Sequence, residues 1–127
     1  LVIGPVPLFA KSSLDCVILS DRRGDGRSLC TRPRSEVEAG RQGSMDALRT
    51  LIGRYDNVRL IDPIDLFCDA TTCRPFKGDQ VFYLDDGHVT PLGAERIYNS
   101  FTGDFQWLTG PHLAQLAAAR QALPSSH

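Results

Sequence analysis

The chain has 127 residues, 42% of them hydrophobic and 23% charged, a composition typical of a single globular domain. Its 14 lysines and arginines against 15 aspartates and glutamates give a net charge of −1, so no overall positive field attracts nucleic acid or an anionic membrane. No apolar run approaches the roughly 18 residues that span a bilayer, and the first residues do not resemble a signal peptide.

The first residues predict a strand, because the apolar run Leu1-Val2-Ile3 continues directly into Gly4 and Pro5. A strand that begins at the first residue, together with the missing initiator Met, leads us to expect the C-terminal portion of a longer polypeptide. Functional residues on a preceding segment are therefore expected.

Residues 5–34 predict a long loop, which is rich in Gly, Pro, Ser and Arg and interrupted by the apolar residues 16–19. Loops of this length within a compact domain are commonly functional. Guanidinium groups suit anions, so the loop is a candidate for binding an anionic glycan or phosphate, and the alternative is a solvated loop without a ligand. The arginines concerned are Arg22, Arg23, Arg27, Arg32 and Arg34.

From Ser35 onward the pattern becomes that of an amphipathic helix, because apolar residues recur at three- and four-residue spacing between Met45 and Tyr55. Ser35 followed by Glu38 is typical of a capping box at the start of such a helix. The short apolar segment 58–62, which is stopped by Pro63, predicts a strand.

Alternation of apolar strands with amphipathic helices is typical of an α/β layer fold rather than a helical bundle or a β-sandwich. A right-handed crossover would make residues 1–4 and 58–62 parallel neighbours, with the helix around 45–55 packed across them by its apolar face. Further along, residues 81–84 predict another short strand. Thr90 and Pro91 predict the cap and first turn of a helix, and residues 113–123 predict a last amphipathic helix.

The four cysteines leave two disulfides possible. Cys68 and Cys73 lie in one short polar loop, where a turn can bring their Cα atoms within the roughly 4.4 to 6.8 Å that a disulfide needs, so we expect them to be bridged. Cys16 and Cys30 form the second candidate pair, and the alternative for Cys16 is a small buried residue. A metal site built from these cysteines and His88 is a further alternative, but its spacing lacks the CxxC pair typical of zinc sites.

The segment with the clearest chemistry is Asp85-Asp86-Gly87-His88, in the predicted turn between a strand and a helix. A carboxylate three residues before a histidine can fold back so that Asp85 accepts the Nδ1 proton of His88. Nε2 is then free as a general base towards a hydroxyl nucleophile. The carboxylate fixes the tautomer and stabilises the imidazolium formed during proton transfer. On spacing alone, the alternative is a capped turn without a catalytic role.

This block resembles the last conserved block of the SGNH (GDSL-like) hydrolase and acyltransferase superfamily, in which Asp-x-x-His is followed by an apolar residue, Ser or Thr, two residues and Gly-Ala. Here it reads Asp85-Asp-Gly-His88-Val-Thr90-Pro-Leu-Gly93-Ala94. Residues 3–7, the loop 68–73 and residues 81–85 look more specifically like the periplasmic SGNH domain of acyltransferase-3 proteins, which O-acetylate surface polysaccharides. The resemblance covers residues 1–105.

The resemblance implies a three-layer α/β sandwich with a parallel sheet of the SGNH or flavodoxin-like kind, with residues 1–127 as the C-terminal part of one domain. It also implies a Ser-His-Asp triad that contains Asp85 and His88 and needs no cofactor or metal. The Gly-Asp-Ser block of the family is absent from this sequence, and Ser12 and Ser13 lack its context. The nucleophile and the oxyanion donors are therefore expected upstream of the first residue.

The function that the resemblance implies is transfer of acetyl groups to a hydroxyl of a cell-surface polysaccharide in the bacterial periplasm. An upstream membrane acyltransferase domain would deliver the acyl donor and tether the domain to the inner membrane, and the isolated chain is expected to be inactive. One alternative is a secreted SGNH esterase, in which water takes the place of the sugar. Another is a carbohydrate-binding or structural module in which His88 only caps the turn.

Overall fold

The computed structural model describes residues 1–24 and 26–111, so the helix predicted over residues 113–123 lies outside the described residues. Within the described part, no helix is long and apolar enough to cross a membrane. In chain order the elements are β1 (Val2–Ile3), α1 (Ser13–Arg23), a 3₁₀ helix (Arg27–Cys30), β2 (Arg32–Pro33), α2 (Arg34–Ile52), β3 (Leu60–Ile61), α3 (Ile64–Phe67), β4 (Thr72–Cys73), β5 (Phe76–Lys77), β6 (Gln80–Val81), α4 (Pro91–Ser100) and α5 (Thr102–Thr109).

Strands β1 and β3 pair in parallel, with Ile3 opposite Ile61. Their connection runs through α2, whose Met45 is only 3% exposed. A Cβ on Gly4 would lie 2.9 Å from the Met45 sulfur, so the missing side chain lets the helix approach the strand pair closely. The predicted parallel pairing is confirmed, and the chain is of α/β class. The other described strands form two antiparallel pairs, β2 with β4 and β5 with β6.

Helix α2 packs through a different part of its length than the sequence predicts. Its buried side chains are Val37, Arg41 and Met45, which follow one another at four-residue spacing. Leu51 and Tyr55, which were expected on the packed face, are 50% and 55% exposed. Met45 is buried and Leu48 and Ile52 are half-buried, so the predicted face is partly correct, and the packed face extends towards the start of the helix.

The start of α2 is also different from the prediction. The helix begins at Arg34, and the residue before it, Pro33, provides no side-chain cap. Glu38 accepts a hydrogen bond from Arg34 Nε at 2.7 Å instead of reaching back to Ser35 in a capping box. The capping-box prediction is therefore wrong, because an ion pair one turn apart uses the carboxylate that the box would need.

The predicted long loop is wrong over residues 13–23, which form α1. The side chains that α1 buries are Ser13, Val17 and Ser20, and two of the three are small and polar. The apolar periodicity that usually reveals a helix is therefore missing. The helix stops at Gly24, whose φ of 71° is a left-handed conformation that glycine adopts without strain.

Aromatic side chains fill the core around Tyr83, which is fully buried. Phe9 and Phe67 meet its ring edge-on, with centroid distances of 4.9 and 5.1 Å. The strand predicted over residues 81–84 is correct only at its start, because β6 ends at Val81 and Phe82 continues into the core. This cluster fixes the position from which residues 84–88 project.

Candidate active site

The segment between Leu84 and His88 folds into a tight turn at the edge of the core. The Leu84 N–H donates to the His88 carbonyl at 2.8 Å, and Tyr83 and Val89 form an antiparallel bridge below it. Asp85 lies within the turn, and its Oδ1 accepts the main-chain N–H groups of Gly87 at 2.8 Å and His88 at 2.7 Å. The Asp85 carboxylate is therefore oriented by bonds to main-chain atoms of its own turn.

The second oxygen of the same carboxylate binds the imidazole. Asp85 Oδ2 lies 2.7 Å from His88 Nδ1, which is the contact that the sequence predicted. Because an ionised carboxylate can only accept, Nδ1 is the donor, and the neutral ring is then unprotonated at Nε2. The His88 side chain is 84% exposed, so its other ring nitrogen is open to an approaching hydroxyl.

Hydrogen bonds hold the Asp85 carboxyl in its ionised form. The main-chain N–H of Gly87, then that of His88, and then the His88 ring lower the pKa of Asp85 from 3.8 to about 2. A carboxyl whose pKa is lowered on folding stabilises the folded state above its unfolded pKa, and this contribution is lost as the pH falls from about 4 towards 2.

We expect Asp85 to titrate well below the usual pKa of an aspartate. Carboxyl-detected NMR should give it a midpoint near 2, so this group adds no step to an activity profile between about pH 4 and neutrality. His88→Ala removes only part of the cause of the lowered pKa of Asp85, because both main-chain donors remain. A midpoint near 3.8 in the wild-type chain would contradict the turn geometry.

Residues 9–13, which are distant in the sequence, form hydrogen bonds to the main chain of the turn. The Phe9 N–H donates to the Asp86 carbonyl at 2.7 Å, and the Ser13 N–H donates to the Asp85 carbonyl at 3.1 Å. Ser12 Oγ adds a bond to the Leu84 carbonyl at 3.3 Å. Sequence reasoning did not find this support, because the partners lie more than 70 positions apart and nothing in the residue types marks them as neighbours.

The residues that follow His88 in the block have structural explanations. Thr90 caps α4, since its Oγ1 accepts the Gly93 N–H at 3.1 Å and also donates to the Val81 carbonyl at 3.0 Å. Pro91 occupies the first turn of α4, as predicted. A Cβ on Gly93 would lie 2.4 Å from the carbonyl oxygen of Phe82, so only glycine fits there without displacing main chain. These residues place α4 against Phe82, shortly before the turn that contains Asp85 and His88.

Neither serine near the turn has the setting of a nucleophile. Ser13 is only 1% exposed, and its Oγ has no hydrogen-bond partner among the described residues. Ser12 donates its hydroxyl proton to the Leu84 carbonyl rather than to a base. The structure therefore gives no reason to move the expected nucleophile from a preceding segment to Ser12 or Ser13.

Both cysteine pairs are bridged in the structure, with Cα separations of 5.7 Å for Cys16–Cys30 and 3.9 Å for Cys68–Cys73. The Cys68–Cys73 loop is further held by Asp69, whose carboxylate accepts two main-chain N–H groups and pairs with Arg74. These bonds hold the pKa of Asp69 far below its usual range. Since all four sulfurs are paired with one another, no thiolate remains for the alternative metal site with His88.

We expect the protein to contain no free thiol when it is prepared from an oxidising compartment. Alkylation under denaturing, non-reducing conditions should leave all four cysteines unmodified, and alkylation after reduction should modify all four. Two modified cysteines would identify the pair that is open, and four would show that neither bridge forms in solution.

Most arginines that were candidates for anion binding are engaged within the fold. Arg27, for example, binds Asp21 at 2.6 Å, and Arg34 binds Glu38 at 2.7 Å. An open groove of about 610 Å³ runs along α2, and Arg34 is among the residues that line it, whereas Asp85 and His88 are not. The candidate arginines with partners inside the chain are Arg27, Arg32 and Arg34, and an anion would have to compete with those partners.

Comparison with known proteins agrees with the resemblance in the sequence. A family model described as "SGNH domain (fused to AT3 domains)" matches residues 1–102, a range that contains the whole block from Asp85 to Ala94. Neither a search of curated proteins nor a search of solved structures found a match. The description couples such domains to AT3 domains, so the chain is an acyltransferase-associated module. The match covers well over half of the chain, and the protein belongs to the family of SGNH domains that are fused to AT3 domains.

Proposed function

We propose that this chain supplies the histidine and the aspartate of a Ser-His-Asp triad that transfers acetyl groups to hydroxyls of a cell-surface polysaccharide. The observation that carries the proposal is the 2.7 Å contact between Asp85 Oδ2 and His88 Nδ1 on a ring that is exposed on its other side. This is the arrangement that a general base needs before it can serve an incoming hydroxyl.

In the proposed reaction, His88 Nε2 takes the proton of a serine hydroxyl as its oxygen attacks the acyl carbonyl of the donor. The imidazolium, stabilised by Asp85, returns that proton to the leaving group, and an acyl-serine remains. Nε2 next takes the proton of a sugar hydroxyl, which attacks the acyl-serine. The new ester leaves, and the proton passes back to the serine. Each step needs the same two residues and no cofactor.

The proposal places the serine and the oxyanion donors on a segment outside these 127 residues, which together with this chain would form one three-layer SGNH domain. The associated AT3 domain would deliver the acyl group, and the polysaccharide acceptor places the reaction in the periplasm. Transfer requires that the acceptor sugar excludes water from the acyl-serine. Where water reaches it, the same triad acts as an esterase.

The direct test is His88→Ala in the protein produced together with its AT3 domain. We expect polysaccharide O-acetylation to be lost while the circular dichroism spectrum and the melting temperature stay close to wild type, because the His88 side chain is exposed. Unchanged acetylation with full folding would refute the catalytic role and favour a binding or structural module.

We also expect the 127-residue chain alone to show no hydrolysis of p-nitrophenyl acetate above background. A general base has nothing to activate without a positioned hydroxyl, and each missing oxyanion donor is worth on the order of 10²-fold. Ser12→Ala and Ser13→Ala are the matched variants. Turnover by this chain that either substitution abolishes would place the nucleophile inside the sequence and overturn this part of the proposal.

A further inference from the structure

Two residues of the segment between β1 and α1 contact the two residues that separate Asp85 from His88. The Phe9 N–H donates to the Asp86 carbonyl at 2.7 Å. The Leu8 side chain lies over Gly87, where an added Cβ would come within 2.8 Å of Leu8 Cδ2. The middle of the turn therefore contacts the main chain of Phe9 and the side chain of Leu8.

The main chain at Leu8 is itself held by a distant side chain. Arg32 Nη1 donates to the Leu8 carbonyl at 2.8 Å, and Arg32 Nη2 lies 3.5 Å from Glu36 Oε2. Residues 5–9 contain no helix or strand, so their carbonyls have no regular partners along this stretch. A hydrogen bond from a guanidinium is stronger than one between neutral groups, which suits it to hold such a segment in place.

The position of Arg32 is fixed by the loop that the Cys68–Cys73 disulfide closes. In the β2–β4 pair, Arg32 lies opposite Cys73, which is fully buried and bridged to Cys68. The Arg34 N–H donates to the Thr71 carbonyl at 2.8 Å and extends this attachment. The main chain of Arg32 is thus attached to the disulfide-closed loop, and its side chain binds the Leu8 carbonyl.

Resting on the proposed function, we propose that Arg32 is a positioning residue for the Asp85–His88 pair, acting through the main chain of Leu8 and Phe9. It contacts neither member of the pair. By holding Leu8 in place it keeps the Asp86–Gly87 part of the turn closed, and the closed turn lets one carboxylate bind both main-chain donors and the imidazole.

The test is Arg32→Gln in the 127-residue chain, followed by long-range ¹H–¹⁵N correlation NMR of the His88 ring at about pH 8, where a free histidine is neutral. In the wild type we expect the proton on Nδ1. In Arg32→Gln we expect the ring resonances to shift towards those of a free histidine and the Phe9 amide to exchange faster with solvent. In the protein with its AT3 domain, turnover should fall on the order of 10- to 100-fold, with KM unchanged.

Arg27→Gln is the matched control. Arg27 also donates to a carbonyl, that of Gly78, and also pairs with a carboxylate, and its side chain is 22% exposed against 28% for Arg32. We expect a similar change in melting temperature from both substitutions and a wild-type His88 spectrum from Arg27→Gln only. If Arg32→Gln also leaves the His88 ring and the Phe9 exchange rate as in the wild type, Arg32 is merely structural and the inference is overturned.

If Arg32→Gln does not fold, Arg32→Lys carries the test, because a lysine can still donate one hydrogen bond but cannot reproduce the planar guanidinium. Its expected signature is a His88 resonance between those of the wild type and free histidine, and a fully wild-type spectrum with wild-type Phe9 exchange would count against the role. A wild-type chain whose His88 carries its proton on Nε2 would instead refute the Asp85–His88 pair, and with it the proposed function.

Discussion

Asp85→Asn should reduce acetyl transfer by about 10³- to 10⁴-fold in the protein that carries its AT3 domain, with little change in folding. The asparagine side-chain oxygen can still accept the main-chain N–H groups of Gly87 and His88, so the turn persists. Its NH₂ group, however, faces His88 Nδ1 and forces the proton onto Nε2, which can then no longer act as a base. Acetylated polysaccharide per unit time, together with the circular dichroism spectrum, measures the effect.

Asp86→Asn is the control for Asp85→Asn, since it makes the same chemical change one position along. The Asp86 side chain is exposed, and the contact by which this residue supports the turn is made by its main-chain carbonyl, which the substitution keeps. We expect turnover within a few fold of the wild type. Equal losses from the two variants would mean that local charge, rather than orientation of His88, explains the effect, and the triad assignment would fail.

Gly93→Ala should have the largest effect on stability among single substitutions between Asp85 and Ala94. The added Cβ would lie 2.4 Å from the Phe82 carbonyl oxygen and 3.0 Å from Val89 Cβ, and a main-chain oxygen cannot move aside as a flexible side chain could. We expect the free energy of unfolding to fall by about 3 kcal/mol, at the upper end for overpacking. Urea unfolding followed by circular dichroism gives this value.

Gly40→Ala provides the contrast, because Gly40 lies within α2 and, outside the helix's own backbone, no atom of the described residues comes within 4 Å of a Cβ at that position. The helix propensity of alanine should raise the free energy of unfolding by up to about 1 kcal/mol. If both glycine variants were equally destabilised, the close approach of α4 to the Phe82 carbonyl would not be the cause at Gly93.

The candidate site could be predicted from the sequence because its main contacts are local. The Asp85 carboxylate binds atoms two and three residues away, and Thr90 caps a helix whose first residue follows it directly. Spacing determines such contacts, since a short stretch of chain has few ways to fold back on itself. The parallel pairing of residues 1–4 with 58–62 was also predictable, because handedness leaves one default arrangement for two strands joined through a helix.

Other features depended on which distant segments pack together. Helix α1 was not predicted, because the surface it covers calls for small side chains, and Ser13 and Ser20 carry no apolar signal. The internal partners of the arginine-rich segment were not predicted for a similar reason, since Arg32 has its carbonyl partner 24 positions away, at Leu8.

By itself, the sequence determined the Asp85–His88 turn, the start of α4, the parallel strand pair and the family. Only the tertiary structure decided that Phe9 bonds to that turn and Arg32 to Leu8, which side chains of α2 are buried and which partners Arg27 and Arg34 have. The physical reason is the separation of the partners along the chain. Contacts over three or four residues follow from local geometry, whereas contacts over tens of residues exist only after the core around Tyr83 has brought the segments together.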